Sequence, residues 1–386
     1  TVIIARTKKG RGVSFVEDKE GFHGKPIETD QEQQAIEELG GERNITVEVQ
    51  KPENGSGETF TSGLTGELNL PSWEVGDQEA TRTAYGEALR ALGGAREDVV
   101  ALDGEVSDST RAGYFEEEYP DRYFEMYISD QQMVAAAVGM SMRRRVPFVS
   151  SFAAFFTRAY DFIRMAAISG ANIRFCGSHA GASIGADGPS QMGLEDIAMM
   201  RAVHGSTVLH PSDANQTARL VAKMADREGI VFLRTLRPKM EILYGPDEDF
   251  EIGGSRVLRS SDADQVTVVA AGITVHNALE ALEQLEGEGI SVRLIDAYSI
   301  KPIDADTLRE AVGATNGKLV VVEDHWPEGG LGEAVLSALV QSDGRELQYR
   351  HLAVSAMPGS GTPEELMNAV GISANHIADA VRELAG

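Results

Sequence analysis

Segments typical of strands and segments typical of helices alternate along most of this 386-residue chain. From about residue 77, apolar runs such as VVALD, VPFVSSF and IVFLR are each followed by a stretch with apolar residues at helical spacing. This alternation favours parallel sheets covered by helices on both faces. Residues 245–254 interrupt this alternation and are typical of a short linker. The length of the chain also indicates more than one domain. We therefore predict an α/β chain with two sheet domains, at 75–244 and 253–386.

The first 74 residues follow a different pattern. The β-branched stretch TVIIAR (residues 1–6) favours a strand, and a helix is expected near Asp30–Leu39. Residues 41–74 are rich in Gly, Asn, Pro and Ser, which is typical of a linker. Because a strand needs a neighbour, we expect residues 1–40 to be the remnant of a larger domain or to dock on a partner.

Composition excludes several classes of function. The formal net charge is −25, so nucleic acid and anionic membranes are not expected as partners. No apolar run could span a bilayer, and the chain has no signal-peptide pattern. The single cysteine, Cys176, excludes an internal disulfide and a cysteine zinc cluster, which favours a cytoplasmic location. Neither a Walker-type phosphate loop nor a C-x-x-C or H-x-E metal motif occurs.

Polar loops follow the predicted strands of the first sheet domain, at the edge where open α/β sheets bind ligands. The richest is CGSHAGASIGADGPSQM, from Cys176 to Met192, whose small residues let a ligand approach the backbone around one histidine. The planar fork of arginine suits an anionic group such as phosphate. Each candidate also has an ordinary role, as a core aromatic residue, a helix cap, a turn residue or a surface cation. These candidates are Phe152, Phe155, Phe156, Asp130, His179, Arg82, Arg158 and Arg237.

Five segments together resemble the transketolase family, in its animal-like branch, over essentially the whole chain. They are GSHAGASIGADGPSQMGLEDIAMMRAV, HPSDANQTA, FLRTLRP, SFAAFFTRAYDFIRMAAIS and VEDHWPEGGLGEAV. The resemblance implies a thiamine-diphosphate-binding fold plus a C-terminal α/β domain. It also implies transfer of a two-carbon ketol unit from a ketose phosphate such as xylulose 5-phosphate to an aldose phosphate such as ribose 5-phosphate, as in the pentose phosphate pathway.

The resemblance divides the chain by function. It assigns residues 1–40 to the end of the diphosphate-binding domain, 75–244 to the pyrimidine-binding domain and 253–386 to the C-terminal domain, which it associates with dimer contacts. Most of the diphosphate domain, with the family's Gly-Asp-Gly…Asn metal segment, is missing from the sequence. We therefore expect no metal ligands in this chain, with Mg²⁺ or Ca²⁺ bound by the missing domain. The protein is then a homodimer or an assembly with a diphosphate-domain subunit.

The resemblance also implies roles for individual residues. The catalytic residues are Asp130, which activates the cofactor, and His179 and His23, which act on the substrate. The cofactor contacts are Asp130, Phe152, Phe155, Gln191 and Lys9. The sugar phosphate contacts are Arg82, Ser109, Arg237, His179, Asp187 and His23.

One position departs from the family pattern. Asp130 stands where the family has a glutamate that hydrogen-bonds the aminopyrimidine N1′. Aspartate is shorter by about 1.5 Å, and a misplacement of about 1 Å can cost on the order of a hundredfold in rate. Two alternatives therefore stay open. One is a non-catalytic relative that acts in assembly or regulation. The other is a thiamine-dependent enzyme for a related ketose or 2-oxoacid, which His179 and Arg237 disfavour.

Overall fold

The computed structural model describes residues 4–22, 25–48, 61–340 and 346–386, in two compact units, 1–59 and 60–386. In the first unit, α1 (Thr29–Glu38) matches the predicted helix, and Glu38 accepts hydrogen bonds from the amide and hydroxyl of Ser14. The predicted strand at residues 1–6 is wrong for its described part, because Ile4–Arg6 have no strand structure. Within the described ranges no neighbouring strand pairs with them, and an unpaired strand is not stable.

Fourteen strands are present in the described part of the second unit. They are β1 (Gln78–Ala80), β2 (Val99–Asp103), β3 (Tyr123–Glu125), β4 (Val146–Phe152), β5 (Ile173–Ser178), β6 (Thr207–Leu209), β7 (Ile230–Arg234), β8 (Lys239–Glu241), β9 (Arg256–Arg259), β10 (Val266–Ala270), β11 (Val292–Asp296), β12 (Ser299–Lys301), β13 (Lys318–Val322) and β14 (Gln348–Leu352).

The helices of this unit follow the strands along the chain. They are α2 (Thr81–Ala95), α3 (Ser107–Thr110), α4 (Gly113–Glu118), α5 (Asp130–Met142), α6 (Tyr160–Ile168), α7 (Asp196–Ala202), α8 (Ala214–Asp226), α9 (Ile273–Glu286), α10 (Ala305–Ala314), α11 (Leu331–Leu339), α12 (Pro363–Ala369) and α13 (Ala374–Ala385). Short 3₁₀ helices span Pro120–Arg122, Ala153–Ala159 and Ala182–Ile184.

The first large sheet has seven strands in the order β12-β6-β7-β5-β4-β2-β3. Six of them are parallel, and β12 is antiparallel to β6 at one edge. Every residue of β2, β5 and β7 is buried, as expected for strands that helices cover on both faces. The carboxyl ends of β2, β4 and β5 therefore meet at one edge, where their loops form the candidate site.

The second large sheet has the order β14-β13-β10-β11-β9, parallel except for β9. Strand β12 lies between β11 and β13 in the sequence, yet it pairs with β6 of the first sheet. The predicted fold class, two α/β sheet domains, is confirmed.

Residues 68–73, which belong to the second unit and lie ahead of β1, pack on its first sheet domain. The amide of Trp73 donates to Asn215 at 3.0 Å, and the amide of Asn215 returns a hydrogen bond to the Trp73 carbonyl at 2.8 Å. Leu68 and Leu70 lie against the apolar core beside β2. None of the described helices combines the length and the apolar character that crossing a membrane requires.

Candidate active site

Asp130 begins α5 and points towards β4. Its side chain is only 4% exposed, and its carboxylate accepts a hydrogen bond from the Ser151 hydroxyl at 3.0 Å. The guanidinium of Arg158 lies 3.4 Å from the other carboxylate oxygen. The sequence offered Arg158 as a candidate for an anionic ligand, and the structure pairs it with Asp130. A buried acid with a hydroxyl donor and a partly exposed cation therefore lies beside the end of β4.

Four planar groups stack next to this acid. The rings of Phe152 and Phe155 are 5.0 Å apart and 13° from parallel, and those of Phe152 and His179 are 4.0 Å apart and 8° from parallel. The guanidinium carbon of Arg158 lies 4.8 Å from the centre of the Phe155 ring. Phe156, by contrast, is fully buried and meets Phe175 and Phe232 edge-on, so it is a core residue. The stack connects Asp130 with His179.

His179 follows β5 directly and is held in the left-handed region, with φ of +56°. Its Nδ1 lies 2.9 Å from the Ser178 hydroxyl, and the residue is 2% exposed. Burial, followed by the positive charges of Arg82, Arg237 and Arg111, lowers the pKa of His179 to about 3. The imidazole is therefore neutral near pH 7, where it can donate and accept hydrogen bonds.

Three arginines surround the far side of His179. Arg82 of α2 donates to the carbonyl of Ser109 at 3.0 Å, and Arg237, which follows β7, donates to Asp187 at 2.8 Å. Burial and the charges of Arg111 and Arg237 lower the pKa of Arg82. The buried Nε atoms of Arg82 and Arg111 have no hydrogen-bond partner among the described residues. Like charges this close are unfavourable alone, so the arrangement suits a bound anion.

Arg111 was not selected from the sequence. It follows α3 with φ of +70°, which is unusual for a residue other than glycine, and its backbone packs on Gly86 of α2. A Cβ atom on Gly86 would come within 2.4 Å of the Arg111 carbonyl oxygen, so that close approach requires glycine. The available signal was an arginine directly after the Ser-Thr pair of the loop that follows β2.

The small-residue loop carries Asp187 and Gln191. Gly185 and Gly188, with φ of +87° and +82°, turn the chain on either side of Asp187, which pairs with Arg237 at 2.8 Å. The side-chain oxygen of Gln191 accepts a hydrogen bond from the Ser190 hydroxyl in the same turn. The loop thus presents Asp187 to the arginines while its glycines allow the tight turn.

The C-terminal sheet domain holds this loop in place. The buried carboxylate of Asp324 accepts the amides of Ala182 at 2.7 Å and Ser183 at 3.1 Å. A Cβ atom on Gly181 would lie 2.1 Å from Asp324, so glycine is needed there as well. A cleft of about 360 Å³ beside the loop is lined by Arg82 and Arg237 and, from the C-terminal domain, by residues 361–363.

The structure thus brings together most of the residues predicted from the sequence. The acid and the aromatic residues form one contact network with His179. Arg82 with Ser109, and Arg237 with Asp187, form two hydrogen-bonded pairs whose arginines line one cleft. Lys9 lies in the first unit, where its carbonyl accepts the amide of Asp18 at 3.0 Å. His23 lies outside the described residues. Among the described residues, no group of three or more His, Cys, Asp or Glu side chains could hold a metal ion.

Two family profiles match most of the second unit. "Transketolase, pyrimidine binding domain" matches residues 77–241, and "Transketolase, C-terminal domain" matches residues 255–377.

Curated relatives match the whole chain. The chain is 48% identical to the transketolase of Homo sapiens over 386 residues, which is all of this chain and 62% of that protein. It is 45% identical to "Transketolase-like protein 2" of Mus musculus, covering 99% of this chain and 61% of that protein. The chain therefore spans somewhat less than two thirds of the length of these relatives.

A solved structure supplies the fold comparison. The structure titled "Split gene transketolase, inactive beta4 tetramer" is 37% identical and superposes with a TM-score of 0.73, covering 79% of this chain and 98% of that one. A transketolase structure from Campylobacter jejuni, at 18% identity and a TM-score of 0.70, shares the fold. By its domains, its sequence and its fold, this chain belongs to the transketolase family.

Proposed function

We propose that this chain carries the pyrimidine-side half of a transketolase-type active site. Together with a partner or further chain, it transfers a two-carbon ketol unit from a ketose phosphate to an aldose phosphate. The observation that carries this proposal is the order of groups along one sheet edge. A buried acid, a planar aromatic stack, a neutral histidine and an arginine cluster follow one another there.

The acid and the aromatic stack fit the aminopyrimidine of thiamine diphosphate. That ring is flat and nitrogen-rich, and a flat nitrogen-rich group, the guanidinium of Arg158, already lies over Phe155 beside the Asp130 carboxylate. We propose that Asp130, Phe152 and Phe155 hold the ring, with Gln191 nearby. When bound, thiamine diphosphate supplies the carbon nucleophile that accepts and passes on the two-carbon unit.

The histidine and the arginines fit a sugar phosphate. On a chain with a net charge of −25, an anionic substrate needs a local group of cations, and Arg82, Arg237 and the neighbouring Arg111 provide one. Neutral His179 and the Asp187 carboxylate are suited to hydrogen bonds with sugar hydroxyls. In this proposal Ser109 supports the phosphate site through Arg82, and Lys9 and His23 stay predicted ligand contacts.

The diphosphate and its Mg²⁺ or Ca²⁺ need further protein. The described residues offer no metal cluster, and the chain spans 62% of human transketolase. Large apolar side chains close to Asp130 in the sequence are exposed, among them Tyr127 and Ile128, at 69% and 70%. We propose that they are covered in a homodimer or by a diphosphate-domain subunit. The proposed setting is cytoplasmic, without nucleic acid or membrane partners.

The test is reconstitution. The chain is mixed with a separately produced diphosphate-binding domain, thiamine diphosphate and Mg²⁺, and ketol transfer from xylulose 5-phosphate to ribose 5-phosphate is followed. We expect no turnover by the chain alone and turnover by the assembly, with Arg237→Ala raising KM for the phosphorylated substrates. An assembly that binds the cofactor and shows no transfer would contradict the proposal.

Asp130 favours a second candidate, a non-catalytic relative that acts in assembly or regulation. Its carboxylate is already engaged by Ser151 and Arg158, and it is shorter than the family's glutamate. The matched variant is Asp130→Glu in the same assembly. Activity that appears only with glutamate supports the non-catalytic candidate, and a fully active wild-type assembly excludes it. A donor screen covers the remaining alternative, a related ketose or 2-oxoacid.

A further inference from the structure

The loop before α12 lies against the small-residue loop of the first sheet domain. The hydroxyl of Ser360 donates to the carbonyl of Ala186. The carbonyl oxygen of Gly361 and Cδ of Pro363 lie 3.3 and 3.4 Å from the place that a Cβ atom on Gly185 would take. Residues 360–363, here called the rim loop, therefore pack on the turn that carries Asp187.

The same loop lines one cleft together with two of the clustered arginines, Arg82 and Arg237. The volume of about 360 Å³ is in the range of small-ligand pockets. Arg82 and Arg237 line the cleft from the first sheet domain, and Gly361, Thr362 and Pro363 line it from the C-terminal domain. The positive charge thus comes from the first sheet domain, while the rim loop adds a small, uncharged surface.

We propose that the rim loop is the end wall of the phosphate subsite, so that the C-terminal domain helps to select the ligand. The ligand class is a terminal phosphate monoester. The arginines attract its dianion, and the rim loop limits how long a ligand the subsite can hold. That the ligand is a sugar phosphate rests on the proposed function. That the cleft takes a phosphate group rests on the arginines and the rim loop. The resemblance associated this domain with dimer contacts, and a share in the substrate site is an additional role.

The rim loop is held firmly enough to act as a wall. The Thr362 hydroxyl accepts the amide of Glu365 at 3.2 Å, and the Glu365 carboxylate accepts the amide of Thr362 at 3.0 Å, which is a capping box at the start of α12. Pro363 occupies the first turn of the helix, and Leu366 behind it is buried in the core. Position 362 therefore accepts other helix-capping residues without loss of the helix.

The test places a negative charge on the wall. Thr362→Asp keeps a good capping residue and brings a carboxylate to the cleft, while Ser373→Asp adds the same charge at the first position before α13, in the same domain. The probe is inorganic phosphate, titrated calorimetrically into the chain. We expect binding by Thr362→Asp to be weaker by about tenfold, because the added carboxylate repels the phosphate in the cleft, and binding by Ser373→Asp to be unchanged. Thermal unfolding of both variants shows that they are folded.

The outcomes separate this inference from the proposed function. Wild-type binding of phosphate that Thr362→Asp leaves intact overturns the inference, as does a wild-type chain that does not bind phosphate. Phosphate binding that depends on position 362 supports the inference even if the reconstituted assembly transfers no ketol unit. Turnover by the assembly without an effect at position 362 supports the proposed function alone. With turnover, KM for ribose 5-phosphate is expected to rise about tenfold in Thr362→Asp.

Discussion

The guanidinium of Arg158 lies 3.4 Å from the carboxylate of Asp130, over the ring of Phe155. A flat cation thus fills the space between an acid and an aromatic face, where the proposed cofactor ring would also need to bind. The side chain of Arg158 is 43% exposed, so it can move away without disturbing the core. Asp130 keeps the Ser151 hydroxyl as a second donor when Arg158 leaves.

Removal of Arg158 is expected to have a small, salt-dependent effect on stability. Arg158 is partly exposed and Asp130 keeps the Ser151 hydroxyl as a donor, so Arg158→Ala should lower the free energy of unfolding of the chain by about 1 kcal/mol or less. The difference from wild type should shrink in 1 M salt, where the Debye length is about 3 Å. Denaturant unfolding at low and high salt measures this. Arg158→Lys is the matched control, since it keeps the charge and loses the planar stacking. A loss that is equal at both salt concentrations would assign the effect to stacking over Phe155.

Replacement of Arg111 by glycine is expected to separate stability from anion binding. Arg111 holds φ of +70°, which glycine adopts without strain, so relief of strain offsets the greater freedom of the unfolded chain. The free energy of unfolding of Arg111→Gly should stay within about 1 kcal/mol of wild type. Phosphate binding should weaken about tenfold, because one of three clustered cations is lost. Calorimetric titration measures the phosphate affinity, and denaturant unfolding measures the free energy of unfolding. Unchanged phosphate affinity would exclude Arg111 from the site.

The sheets were predictable, whereas some of their connections were not. Alternation of apolar strands with amphipathic helices is a local signal, and β2, β4, β5 and β7 follow it. Strand β12 has three residues, and its pairing with β6 joins segments about ninety residues apart. No local pattern encodes such a pairing, because it depends on how the two sheet domains pack.

In the candidate site, too, local features were predictable from the sequence and long-range contacts were not. Asp130, Phe152 and His179 were found because each lies at or after the end of a predicted strand, and because these segments resemble a known family. The stacking of Phe152 on His179 requires β4 and β5 to be neighbours, and strand order cannot be read from local sequence. Arg111 was missed because its position depends on a left-handed backbone and on contact with Gly86.

His179 is expected to make the chain less stable at acidic pH. Its pKa is about 3 in the folded chain, against an ordinary value of 6.5, so between these pH values the unfolded chain binds a proton that the folded chain does not. Stability is therefore lost as the pH falls through that window. His179→Asn removes the titrating group, and asparagine tolerates the φ of +56°. Between pH 8 and pH 5, the wild type should lose about 2 kcal/mol more than the variant, at about 1.4 kcal/mol per pH unit.

Denaturant unfolding of wild type and His179→Asn at both pH values provides the measurement. Two other histidines with a lowered pKa, His210 and His276, are present in both proteins, so their contributions cancel in the difference. Parallel loss of stability in the two proteins would show that His179 takes up its proton in the folded chain.

Asp324, which lies in the C-terminal sheet domain, is expected to stabilise the small-residue loop of the first sheet domain. Asp324→Ala leaves the buried amides of Ala182 and Ser183 without their acceptor, which should lower the free energy of unfolding by about 2 to 4 kcal/mol. The exchange of those two amides with deuterium should become faster than in wild type. Asp304→Ala is the matched control. It removes the carboxylate that caps α10 in the same domain, where it accepts the amide of Thr307 at 3.1 Å.

The control should lose about 1 kcal/mol, as usual for a helix cap, and should leave exchange at Ala182 and Ser183 unchanged. Because Gly185 and Asp187 follow this anchor in the same loop, Asp324→Ala should also weaken phosphate binding through Arg237. Amides that stay protected in Asp324→Ala would mean that the loop is held by its own turns, with no need of the C-terminal domain. The Ser360 contact with Ala186 would still join the rim loop to the small-residue loop in that case.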